Sequence, residues 1–155
     1  MATIDWCKRQ EKGIKLVEPN ENLSKEYFAN AEESLRVLRA LKDTGSNMWL
    51  ATTKYYIEYF AVYSILMKIG IKCEIHDCTI ALVTLLEEER IIPEGFADIL
   101  SADKELRIDN QYYLKNKPVA IDFSELAEFL LHVRGVLESL GNGKIREIRR
   151  RIAEG

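Results

Sequence analysis

The run Arg107-Ile-Asp-Asn-Gln-Tyr112 sets a guanidinium, two amides and a phenol within two helical turns, and Asp103 stands one turn earlier. Residues three and four apart share a helix face, so Asp103, Arg107, Asn110 and Gln111 fall in one lane. An arginine oriented by a neighbouring carboxylate presents a fixed, permanently charged fork that suits a phosphate. Tyr112 beside it can stack on a base or donate a hydrogen bond. The expected chemistry is capture of a phosphate or nucleotide by Arg107, Asp103, Asn110, Gln111 and Tyr112. The plainer alternative is a solvated i, i+4 ion pair. In the anion-site reading Arg107 is exposed, and Arg107→Ala leaves stability almost unchanged, because such a pair contributes about 0 to 1 kcal/mol.

Other reactive residues offer less. Cys73-Glu-Ile-His76-Asp-Cys78 gathers zinc-type ligands, but the spacing is no recognised knuckle and no second ligand pair follows, so no metal is expected. His76 reads as a helix-start residue whose ring packs or bonds locally, and His132 as a partly buried histidine on the last long helix. The three cysteines cannot all pair, and a chain of this size needs no disulfide to fold, so all three read as thiols in a reducing compartment. The cluster Lys144, Arg146, Arg149, Arg150 and Arg151 is dense enough to suggest a contact with RNA or an acidic partner.

These residues need a scaffold, and the pattern is helical throughout. Pro19, Pro93 and Pro118 each stand where an apolar periodicity stops. A short amphipathic start ends at Gly13 and residues 14–22 connect. A helix capped by Asn22 or Ser24 carries Tyr27, Ala31, Leu35, Leu38 and Leu41 inward and stops at Gly45. The central helix, opened by Ser46 or Asn47 and closed by Gly70, is apolar nearly all round: Trp49, Thr53, Tyr56, Phe60, Tyr63 and Met67 line one face, Leu50, Ile57, Ala61 and Ile65 the next. It needs partners on more than one side, and its tyrosines predict a homodimer surface as well as core.

Further helices are expected over 76–89, over 94–115 with Phe96, Ile99, Leu100 and Leu106 inward, and from the capping box of Asp122 and Glu125 to Leu140. Residues 144–155 form a basic amphipathic helix. Short connections between long helices predict an all-α, antiparallel up-and-down bundle of four to five main helices plus short terminal ones. It is read as one domain, 1–155, with its core over 23–140.

Composition agrees with that class. A chain of 155 residues, 47% hydrophobic and 30% charged, can bury a sizeable core. The formal charge of −3 excludes a broadly basic nucleic-acid coat and leaves only local patches. No apolar run reaches the roughly 18 to 20 residues that span a bilayer, and the start lacks the apolar stretch of a signal peptide. With three thiols, this places the protein in the cytoplasm.

The order of these stretches resembles the HEPN domain family of small helical bundles. The matching pieces are Ala29-Asn-Ala-Glu-Glu-Ser-Leu35, Lys54 through Leu66, Gly70 through His76, Arg107 through Tyr112, and the acidic start and apolar stripe of the last long helix. The resemblance spans residues 23–140 and rests on order, since no single piece is specific. It implies a homodimer that partners a minimal nucleotidyltransferase, some such pairs acting as toxin and antitoxin, with a nucleotide or RNA as ligand and no cofactor. Ribonuclease members carry a histidine four to six residues after the arginine and cleave RNA without metal at the dimer cleft. Here Tyr112 and Tyr113 stand there instead, which resembles the subgroup ending in Asp-Tyr, with Gln111 for the aspartate. A tyrosine titrating near ~10 is a poor base for 2′-hydroxyl attack. A binding module is therefore the first expectation and a metal-independent endoribonuclease using Arg107 and Tyr112, or a histidine from another helix, the rival.

Overall fold

Asn20, Ser46 and Asp122 open the three longest helices, each side-chain oxygen accepting a backbone N–H of the first turn. The computed structural model describes residues 2–155, which are organised as α1 (Ile4–Arg9), β1 (Lys15–Leu16), α2 (Glu21–Leu41), α3 (Asn47–Ile69), β2 (Ile71–Lys72), α4 (His76–Glu88), α5 (Phe96–Gln111), α6 (Phe123–Ser139) and α7 (Asn142–Glu154). The fold is all-α apart from a two-residue antiparallel pairing in which Lys15 faces Lys72 and Leu16 faces Ile71. That pairing was not visible as alternation, because two residues per strand carry no period.

Helix α3 is the centre. It packs against α2, α5 and α6, touches α7, and buries Tyr55, Ile57, Ala61, Val62, Ile65, Leu66 and Ile69 almost completely. The apolarity on several faces is thus met inside one chain, and the argument for a homodimer drawn from it loses its premise. Trp49, counted on one of the two apolar faces of this helix, is 53% exposed. Tyr63 is buried and its hydroxyl ties the following loop by donating to the Cys73 carbonyl and accepting from the Cys73 N–H.

Several boundaries move for identifiable reasons. Asn20 rather than Asn22 or Ser24 caps α2, and Ser24 is buried, donating to the Ser64 carbonyl at 2.7 Å across the α2–α3 contact. Helix α5 begins at Phe96, where Gly95 takes φ +106°, and Glu87 of α4 caps it by accepting from the N–H groups of Gly95 and Ala97. It ends at Gln111 instead of Lys115. Leu114 and Asn116 adopt positive φ, which breaks the helix into a loop, and Ile99 on the same helix is exposed rather than inward. His132 is exposed too, its ring edge-on to Phe96.

The basic tail is part of the core. Ile145, Ile148 and Ile152 of α7 are buried with the rest. Arg149 donates to the carbonyls of Val17, Ile69 and Gly70, while Lys144 binds Glu89, the residue that closes α4, and Arg151 binds both Glu88 and Glu89, holding the Glu89 carboxyl below its usual range. Gly70 is needed there, since a Cβ would collide with the Val17 carbonyl and the Arg149 guanidinium. Only part of the cationic cluster expected to meet RNA remains free of contacts within the chain.

The cysteine expectation is overturned. Cys7 of α1 and Cys78 of α4 are both fully buried and joined in a disulfide, leaving Cys73 as the free thiol. They stand 71 positions apart in sequence, and helix packing brings α1 against α4. Among the described residues no helix is long and apolar enough to cross a membrane. The inference of a reducing compartment, which rested on three thiols, falls with them.

Candidate functional site

Arg107 does not lie on a solvated lane. It is 6% exposed, with its guanidinium carbon over the rings of Tyr55, Tyr56 and Tyr112 at 5.0, 5.5 and 5.6 Å from their centroids. Such contacts favour a cation by roughly 0.5 to 2 kcal/mol each, the larger values where water is excluded. Nη1 donates to Gln111 Oε1 at 3.2 Å, Nε has no partner, and among the described residues Arg107 forms no ion pair. A buried guanidinium without a carboxylate is costly to hold, and within this box of aromatic rings the charge is met by the ring faces and Gln111 alone.

The other expected residues divide. Gln111 is beside Arg107, and Tyr112, 63% exposed, forms the outer wall of the box. Asp103 belongs elsewhere: it accepts from Lys54 Nζ at 3.0 Å and makes no ion pair with Arg107. Asn110 is also committed, its amide donating to the Lys117 carbonyl at 3.0 Å while its carbonyl accepts from the Lys117 N–H at 2.6 Å. With Asp109 binding Lys115 and Lys117, these side chains fold residues 112–118 into the loop that presents Tyr112, Tyr113 and Leu114 to solvent. Two members of the motif thus shape the site without facing it.

Four residues of the site, Tyr55, Tyr56, Tyr59 and His76, come from helices that the motif does not include. The Tyr55 hydroxyl lies 2.6 Å from His76 Nδ1, and the His76 ring stacks on Tyr59 at 4.6 Å. Burial, then the Tyr59 charge, pushes the Tyr55 phenol well up, so it keeps its proton. A phenol that keeps its proton can donate to Nδ1, and in that arrangement the imidazole hydrogen sits on Nε2. Burial, then Arg107 and Lys104, pulls the His76 imidazolium down from its ordinary range. His76 is therefore neutral near pH 7 and offers a donor outward, its lone-pair nitrogen being occupied.

A second polar cluster adjoins this one. Glu58, one turn beyond Lys54 on α3, is 1% exposed, and burial followed by its bond to Asp103 raises its carboxyl well above the usual range. Glu58 Oε1 and Asp103 Oδ2 lack donors, so a proton carried by Glu58 is what joins the two groups. Signals for these residues existed in the sequence. A glutamate in an otherwise apolar run, one turn from a lysine, cannot escape burial on a helix that is covered all round.

A consequence is measurable. Glu58 has a raised folded-state pKa, so the unfolded chain releases its proton first as pH rises, and stability falls from about pH 4.5 upward. Glu58→Gln, which keeps shape and a donor to Asp103, is expected to flatten that decline and raise the melting temperature at alkaline pH. Thermal melts from acid to alkaline pH decide it, and parallel curves for both proteins refute the shared proton.

Set against known proteins, the chain matches no family model, no curated protein and no solved structure.

Proposed function

We propose that this chain is a HEPN-like helical module that binds a phosphate-bearing ligand, a nucleotide or single-stranded RNA, through Arg107 and Tyr112. The observation that carries the reading is the buried, unpaired guanidinium with an exposed tyrosine at its edge. A phosphate oxygen answers the charge, and the Tyr112 face is free for a base, since aromatic stacking contributes about 1 to 3 kcal/mol per base. Short connections support an antiparallel up-and-down arrangement of the main helices, which is the feature most consistent with the HEPN resemblance. A minimal nucleotidyltransferase, the partner that resemblance implies, is the protein to seek in a pull-down from native cells.

The ribonuclease alternative gains one group and loses its use. His76 shares the Tyr55 contact with Arg107, yet its acceptor nitrogen is taken by a phenol that keeps its proton, so a free general base is lacking. Binding without cleavage is the reading adopted. Fluorescence anisotropy with a labelled RNA oligonucleotide and with a labelled ATP tests it: Tyr112→Ala is expected to weaken binding by about tenfold, the loss of one stacked base. Equal affinity of wild type and variant, or RNA cleavage in EDTA that disappears in His76→Ala, overturns it.

A further inference from the structure

Helices α2 and α6 both pack on α3 and leave a trough between them that is open to solvent. Two cavities make it up, about 270 Å³ toward Arg39 and about 320 Å³ toward Lys25, and they are continuous because both are lined by Phe28, Glu32 and Arg134. The two walls run in opposite directions, Arg39 lying over the Phe123 ring at one end while Lys25 and Leu137 share the other. From Glu21 to Arg39 the α2 wall is about 27 Å long at 1.5 Å per residue. Phe28 and Leu130 are buried at the floor, Leu35 and Leu137 are half-buried, and Leu131 is 67% exposed at the rim. On both walls the lining positions recur every third or fourth residue, once per turn.

The charge of the trough is opposite to that of the chain. The whole protein carries a formal −3, yet here Lys68 is paired with Glu21 and Arg134 reaches Glu138 at 3.8 Å, which leaves Lys25, Arg36 and Arg39 facing Glu32 alone. We propose that the trough seats an acidic amphipathic helix of a partner protein, its apolar stripe on Phe28, Leu35, Leu130 and Leu131 and its carboxylates against Arg36, Arg39 and Arg134. Two walls with one lining position per turn ask for an apolar residue at each turn of the occupant, which one face of a helix supplies. Carboxylates beside that stripe answer the cationic surplus, fixing the direction in which the helix lies and steering its approach. Other occupants leave part of the surface unanswered. A nucleic-acid backbone meets the arginines but not the exposed Leu131, and a bilayer is flat where the trough is concave. A second copy related by a two-fold axis presents the same patch, and with it the same surplus of cations. The trough shares no residue with the Arg107 box, so the proposal is independent of the reading given to that site.

The probe is a labelled synthetic peptide of about 18 residues, the length of the trough, with leucine at every third or fourth position, glutamate on both sides of that stripe and alanine elsewhere. Comparison peptides have the same composition in scrambled order, or lysine for every glutamate. Fluorescence anisotropy is expected to give a dissociation constant of about 100 µM or tighter for the acidic helix and at least about tenfold weaker binding of both comparisons. Arg36→Glu with Arg134→Glu is expected to weaken the acidic peptide about tenfold or more and to strengthen the lysine peptide, a reciprocal swap that a general loss of structure cannot produce. Leu131→Lys is expected to weaken binding about tenfold, whereas Val37→Lys, also at an exposed position of α2 but outside the trough, leaves it unchanged. All these positions are exposed, so the variants are expected to melt close to wild type. Should one fail to fold, amide shifts of the wild-type protein on adding the peptide serve instead, and they are expected to be confined to α2 and α6. No binding at millimolar concentration, equal binding of the scrambled peptide, folded variants that bind as wild type does, shifts centred on other helices, or a dimer in sedimentation that the peptide does not dissociate would each refute the proposal.

Discussion

Replacing Arg107 with alanine is expected to lower stability by about 2 to 4 kcal/mol, and replacing it with methionine by less than about 1.5 kcal/mol, while both weaken anion binding by about tenfold or more. The alanine variant loses its ring contacts with Tyr55 and Tyr56 and leaves a cavity beside two buried or half-buried tyrosines. Methionine has nearly the same reach, fills the box and makes favourable sulfur–aromatic contacts. It also removes a buried charge with no carboxylate partner, a group that costs free energy to keep in the protein. Any stability that methionine recovers is therefore recovered without the charge. The measurement pairs urea or thermal unfolding with anisotropy of labelled RNA and ATP, where loss of a charge-assisted contact weakens binding by about tenfold or more. An Arg107→Met protein that is folded and binds as wild type does would show that the guanidinium is held for packing alone. The same pair of variants replaces the simpler expectation of an unchanged melting temperature, which assumed a solvated arginine.

Helix type and order were legible because they follow from local rules. The apolar stripe of α6 and the Asp122 cap lie within the reach of a single helix, and both form as the spacing requires. What the spacing could not supply was the claim that another helix makes on the same side chain. Asp103 is one turn from Arg107 along α5, yet Lys54 on α3 takes it. Asn110 is on the lane by counting, yet the chain turns at residues 112–118 and its amide is used to close that loop. Glu58 and His76 show the converse, since their importance comes from being buried next to a partner on another element: Asp103 for one, Tyr55 for the other. The motif therefore located the helix that carries the site, and tertiary packing selected which of its residues face it.

The largest effect on stability is expected from the Cys7–Cys78 disulfide. It closes a loop with a sequence separation of 71 residues, and in the chain-entropy account opening such a loop costs about 4 kcal/mol. For a domain of this size that corresponds to roughly 8 to 16 °C in melting temperature at about 2 to 4 °C per kcal/mol. Helix α1 should respond first. It has six residues, too few to persist alone, and Cys7 is its one buried side chain. Its remaining ties are few, among them Lys8 donating to the Ala153 carbonyl at the far end of the chain. Dithiothreitol should therefore lower the melting temperature and speed hydrogen exchange over residues 4–9, with smaller changes in α3. Cys7→Ser with Cys78→Ala should melt near the reduced protein and no longer respond to the reductant. Because Cys78 stands two residues after His76, exchange at the start of α4 reports whether the loosening reaches the Tyr55–His76 contact. A wild-type protein whose melting and exchange ignore dithiothreitol, and whose three cysteines all react with a thiol reagent after unfolding without reduction, would return these residues to the thiols that their odd number first suggested.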